Sequence, residues 1–128
     1  MDLGLEVAEF KGNTVLSVRG EVDMANAPQL REQLIELIDQ RRRQIIVDLE
    51  RVEFLDCTGL GVLVSGLKGQ RHHHGDLALV CTQRRILKVL EVAGLTKVFR
   101  VHDSVDSALA APPPPSDRPA RFGGGQPV

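Results

Sequence analysis

The chain has 128 residues, 42% hydrophobic and 26% charged, and its 16 basic and 17 acidic side chains leave a formal net charge of -1. That is the size and make-up of one globular domain. It excludes a nucleic-acid binder, which carries a basic excess, and a membrane helix, which needs about 20 consecutive apolar residues. With no Trp, no Tyr and four Phe, the core has to be aliphatic. The opening MDLGLEVAEF lacks the basic region and apolar run of a signal peptide, so the expected location is the cytoplasm. Cys57 and Cys81 are too few for a disulfide framework and show no CxxC spacing, so both read as reduced thiols.

DLGLEVAEF alternates Leu3, Leu5 and Val7 with polar neighbours, the period of a half-buried strand. KGN marks a turn, and TVLSVRG reads as the second strand of an opening hairpin. A helix follows within residues 21–43. Asn26 is its expected cap and Pro28 suits its first turn. Leu30, Leu34, Leu37 and Ile38 share one face of it, and Arg41, Arg42 and Arg43 stand at its end, where positive charge complements the helix dipole. QIIVDL, residues 44–49, has the β-branched pattern of a buried parallel strand.

GLGVLVSGLKGQR is the second helix, with a stripe of Leu60, Leu63, Val64 and Leu67 and with glycines that let a neighbour approach closely. HHHG is a loop, and DLALVC another buried strand. QRRILKVLEVAG is a third helix, stopped by Gly94. KVFRV, residues 97–101, reads as a last strand and SVDSALAA as a closing helix. Residues 1–111 therefore form one α/β domain with a mixed sheet that is parallel in its later part. Residues 112–128, PPPPSDRPARFGGGQPV, read as a disordered Pro/Gly-rich tail.

Motifs for catalysis fail on inspection. GLGVLVSG would need glycine at Val64 to be a dinucleotide fingerprint, and there is no GK followed by Ser or Thr. Ser65 has Leu63 where GxSxG needs glycine. His72, His73 and His74 are consecutive, which is poor spacing for converging on one metal ion. The expectation is a protein with no catalysis, no metal and no cofactor.

The informative stretch is FLDCTGLG, residues 54–61. Asp56 stands where a helix N-cap belongs, with Cys57 and Thr58 in the first turn. A helix N-terminus favours phosphate and lowers the pKa of a thiol. From the residues alone three readings stay open: a plain cap with a small core cysteine, a hydroxyl meant for phosphorylation, or a redox-sensitive thiol.

The segments GEVDMANAPQLREQL, VDLERVEFLDCTGLGVLV and RRILKVLEVAGLTKVF, in that order and spacing, resemble the STAS domain of bacterial anti-sigma factor antagonists over about residues 3–110. The resemblance implies a STAS fold and partner switching. Such a protein binds an anti-sigma factor that is also a serine/threonine kinase, and a sigma factor is released. The kinase then phosphorylates the hydroxyl after the motif aspartate, and a PP2C-type phosphatase resets it. Here that position is Cys57, and the next hydroxyl is Thr58. The resemblance leaves three possibilities open: phosphorylation of Thr58, an antagonist that phosphate cannot switch off, or oxidation of Cys57. A bridge from Cys57 to Cys81 is not expected. Whether Cys57 is natural or an engineered replacement of serine also stays open.

By the same resemblance Glu21 and Asp23 contact the kinase, while their plainer reading is a turn and helix lead-in. Asp56 belongs to that partner face. Gly59 and Gly61 either admit the partner or serve helix packing. The expected state is a monomer. Three alternatives remain beside the antagonist: a STAS scaffold subunit of a sensory complex, a thiol-based redox sensor acting through Cys57, and a small-molecule carrier, which the resemblance allows but no phosphate loop supports.

Overall fold

A computed structural model describes residues 3–10 and 12–111. The predicted tail, residues 112–128, lies outside the described residues. In chain order the elements are β1 (Gly4–Phe10), β2 (Asn13–Val22), α1 (Ala27–Asp39), β3 (Gln44–Leu55), α2 (Cys57–His72), β4 (Asp76–Val80), α3 (Arg84–Val92), a short 3-10 turn (Leu95–Lys97), β5 (Val101–His102) and α4 (Val105–Ala110). The five strands form one sheet in the order β1-β2-β3-β4-β5. The opening hairpin is antiparallel and every later pair is parallel, the mixed α/β sheet expected from the alternation of strand and helix patterns.

The sheet has two unequal faces. Leu16, Val18, Ile45, Val47, Leu49, Leu77 and Leu79 turn to one side, against Leu30, Leu34 and Leu37 of α1, Leu63 and Leu67 of α2, and Ile86 and Leu90 of α3. On the other side Val15, Ile46 and Val80 meet Ala108 of α4. β4 is buried along its whole length because both of its faces are covered. α2 packs tightly through its glycines. A Cβ on Gly66 would come within 3.1 Å of Leu34 Cδ1, and one on Gly69 within 3.1 Å of Ile38 Cδ1.

Four expectations need correction. β3 does not stop at Leu49 but runs to Leu55 beside β2, with register shifts between Ser17 and Arg19 and between Gly20 and Glu21. Those bulges re-aim the chain and let charged residues remain in a strand. Residues 97–101 are not a strand. Gly94, with φ of 76°, turns the chain, and the amides of Val98 and Phe99 donate to the Leu95 carbonyl. These donors are therefore spent locally, and only Val101–His102 pairs with β4. Asn26 occupies the cap position of α1 but makes no capping bond. Its side chain is occupied elsewhere, as described below. The three arginines lie beyond the last turn of α1: Arg41 has φ of 59°, and Arg42 reaches Glu9 of β1 at 2.7 Å.

The end of the sheet where β3 and β4 begin is held by polar side chains. Asp76 is buried and takes Arg71 on one oxygen and Arg100 on the other, at 3.4 and 3.3 Å. The buried Gln70 side chain donates to the carbonyls of Arg42 and Asp76, both at 3.0 Å.

Candidate functional site: the first turn of α2

The opposite end of the sheet carries the site. β2 and β3 finish side by side, with Val22 paired to Leu55 and Glu21 to Phe54. Just beyond, the Asp56 amide donates to the Val22 carbonyl at 3.2 Å, so the two strand ends stay joined as the chain turns. Asp56 is extended, with φ of -98° and ψ of -176°, and its carboxylate accepts the Gly59 amide at 3.0 Å. It is a working N-cap, as expected from its place before an apolar-periodic segment.

Cys57 and Thr58 fill the first helical positions and are both exposed. Their amides precede the first intrahelical acceptor, so the turn presents unspent donors and the positive end of the helix dipole. Both cysteines are free, with Cys57 on the surface and Cys81 buried. Burial pushes the Cys81 thiol up from its ordinary pKa.

Gly59 and Gly61 are not alike. Gly59 is buried, and a Cβ there would stand 2.6 Å from Leu55 Cδ1 and 2.8 Å from Val22 Cγ1. Its missing side chain lets the helix start press onto the two strand ends. Gly61 is exposed and a Cβ on it would meet nothing within 4 Å.

The GEVD segment is brought to the same place. The Glu21 side chain is exposed and Asp23 half-buried. Asp23 Oδ1 accepts the amides of Ala25 and Asn26 at 3.0 and 3.2 Å. Asn26, buried, accepts the Asp23 amide on Oδ1 at 2.9 Å and donates from Nδ2 to the Glu21 carbonyl at 2.7 Å. This is why Asn26 does not cap α1: it knits the loop in front of it. Sequence reasoning also missed two exposed apolar side chains beside this loop, Met24 at 74% and Phe54 at 49% exposure. No pattern of residue types announces them, because exposure is decided by the tertiary placement of the loop and of the end of β3.

β3 outlasts β4, whose last partner is Asp48. The overhang is clasped instead. Gln83 donates from Nε2 to the carbonyls of Leu49, Glu50 and Val52, at 3.2, 2.9 and 2.6 Å. The Glu50 carboxylate accepts the Thr82 amide and hydroxyl at 2.6 and 2.8 Å. Among the described residues no group of three or more His, Cys, Asp or Glu is placed to hold a metal ion, and no helix is long and apolar enough to cross a membrane.

Comparison with known proteins gives a consistent set. The family described as "STAS domain" matches residues 5–108. The anti-sigma-B factor antagonist of Staphylococcus aureus is 30% identical over 106 residues, which are 83% of this chain and 98% of that protein. The crystal structure of an anti-sigma factor antagonist from Mycobacterium paratuberculosis is similar with a TM-score of 0.78 and 28% identity, covering 84% of this chain and 91% of that one. The phosphorylated form of the Bacillus cell fate determinant SpoIIAA shares the fold, with a TM-score of 0.66 at 21% identity, over 83% of this chain and 96% of that one.

Proposed function

Since the chain belongs to the STAS domain family, we propose that it is an anti-sigma factor antagonist that works by partner switching. It binds an anti-sigma factor of the serine/threonine kinase type, and the binding releases a sigma factor. The protein performs no catalysis. It acts in the cytoplasm as a monomer.

One observation carries this reading. Two modifiable side chains, Cys57 and Thr58, stand exposed on a capped helix start that is hydrogen-bonded to the end of the GEVD strand. A modification there alters a surface shared by Glu21, Asp23, Asp56, Cys57 and Thr58. Phosphate on Thr58 adds about -1.5 to -2 charges at pH 7. Next to Asp56 that charge adds like-charge repulsion, and its bulk and hydration unmake a close-packed contact with a partner at this helix start. A PP2C-type phosphatase restores the starting state. The Bacillus protein of the same fold, known in a phosphorylated form, lends support by analogy.

Cys57 takes the place that the resemblance gives to the acceptor hydroxyl. The competing reading is therefore a thiol switch, and the exposure of Cys57 against the burial of Cys81 is what favours it. Oxidation would change the same surface without phosphate.

A pull-down from lysate of the source organism, with ADP or ATP present, tests the proposal. The expected catch is a kinase-type ATPase that holds a sigma factor when the bait is absent. The mass of the recovered bait then separates phosphate on Thr58 from oxygen on Cys57. A multi-subunit STAS assembly without such a kinase would sink partner switching in favour of a scaffold.

A further inference from the structure

The face of the sheet opposite α1 and α2 is only partly covered. α4 packs Val105, Ala108 and Leu109 over Val15, Ile46 and Val80. Past it, over β1, β2 and β3, lies a recess of about 250 Å³ lined by Gly4, Glu6, Ser17, Arg19, Asp48 and Arg51.

Strand register arranges these residues in two rows. Ser17 lies between Glu6 and Asp48, and Arg19 lies between Gly4 and Arg51. Rows two residues apart along a strand are separated by about 7 Å. The recess therefore has an acidic row and a basic row, with a hydroxyl in the middle of the first.

Two features build the basic row. From Asp48 to Arg51 β3 advances three residues while β2 advances two, from Ser17 to Arg19. The extra residue turns Arg51 to the same side as Asp48 instead of toward the core. The Glu50 amide at this bulge donates to Asp48 Oδ1 at 3.0 Å. The second feature is Gly4. A Cβ there would stand 2.8 Å from both Nε and Nη2 of Arg19, so the guanidinium lies across bare backbone.

Among the described residues neither Arg19 nor Arg51 makes an ion pair or a hydrogen bond through its side chain. Like charges opposite each other in a sheet oppose folding, so the pair stands ready for an anion. Guanidinium groups bind phosphate or carboxylate through paired N–H bonds. A simple dianion is nevertheless a poor fit, because Glu6 and Asp48 would repel it. Both rows are satisfied by a molecule with an anionic group at one end and an ammonium at the other.

We propose that this recess binds a small dipolar metabolite, a phosphorylated or carboxylated amine. Its anionic group lies on Arg19 and Arg51, and its ammonium on Glu6 and Asp48. The next residue pair along the same two strands is Gly20 with Val52, and then Glu21 with Phe54. The recess thus lies two to three residues along these strands from the α2 site.

Phosphoethanolamine is the probe, titrated into the isotope-labelled protein while backbone amide shifts are followed, with inorganic phosphate as comparator. The expected result is saturable shifts confined to residues 4–6, 17–19 and 48–51, with phosphate binding more weakly. R19Q/R51Q should weaken phosphoethanolamine by at least about tenfold. G4A, which puts a methyl where the Arg19 guanidinium lies, should weaken it too without touching a charge. E6Q/D48N should close the gap between the two probes. Amides far from the recess report that each variant is folded. The absence of saturable shifts, equal binding by wild type and R19Q/R51Q, or phosphate binding as tightly as phosphoethanolamine would each overturn the proposal.

Discussion

Asp56 fixes where α2 begins, because its carboxylate takes the Gly59 amide and its own amide holds Val22. Asp56→Ala removes the cap and is expected to cost about 1 kcal/mol, while Asp56→Asn, which can still cap, costs a fraction of that. Urea midpoints of the three proteins measure the difference. The glycines two residues apart give a sharper contrast. Gly59→Ala forces a methyl between Leu55 and Val22 and should destabilise by about 1–3 kcal/mol. Gly61→Ala meets open space on a helix and should stabilise by up to about 1 kcal/mol. If both alanines behave alike, the packing assigned to Gly59 is wrong. The sequence presents these two glycines identically, as members of one GLG string. Leu55 and Val22 closing on Gly59 tell them apart, and Val22 comes from 37 positions away.

Among the elements, β3 is the one on which the site depends, and its outer half has a strand partner on only one side. Gln83 supplies the other side. Gln83→Leu leaves the carbonyls of Leu49, Glu50 and Val52 without that donor and should cost about 1–3 kcal/mol. Amide exchange should accelerate in residues 49–55 more than in residues 44–48. Equal acceleration along the whole strand would deny the clasp. The inner half of β3 was legible in the sequence because Ile45, Ile46 and Val47 form a β-branched run. The outer half was not, since ERVE carries charges that a regular buried strand would exclude. The bulges beside Arg19 and Glu21 resolve that conflict by turning the charges out. Gly94 was read correctly as the end of α3. Its further effect, a turn that takes the strand donors of Val98 and Phe99, depends on backbone geometry that residue types do not encode. The cap at Asp56 was readable because capping is local chemistry. Asn26 looked equally like a cap, and it was diverted by a loop whose shape arises from the end of β2.

Across the whole molecule the polar anchoring and the candidate site occupy opposite ends of the strands. Asp76, with Arg71 and Arg100, sits where β4 begins, whereas Asp56 and Cys57 sit where β3 ends. Asp76→Ala should therefore lower the thermal midpoint and leave the affinity for the proposed anti-sigma partner unchanged at temperatures where the variant is folded. The buried Cys81 adds a pH dependence. In the folded chain its thiol keeps its proton to higher pH than in the unfolded chain. The stability linked to this is complete below the ordinary thiol pKa and is lost as pH rises through the folded value. Denaturation midpoints should fall on going from about pH 8 to pH 10, and Cys81→Ala should flatten part of that fall. A slope unchanged in the variant would assign it to other groups. The contact of Gly59 with Leu55 and Val22 has a consequence in time. The wedge holds the helix start against two strand ends, so in the proposed switch a group added at residue 57 or 58 is displayed on a frame already in place. The pace of such a switch is set by bond chemistry and by the departure of the partner, with no refolding interval between the two.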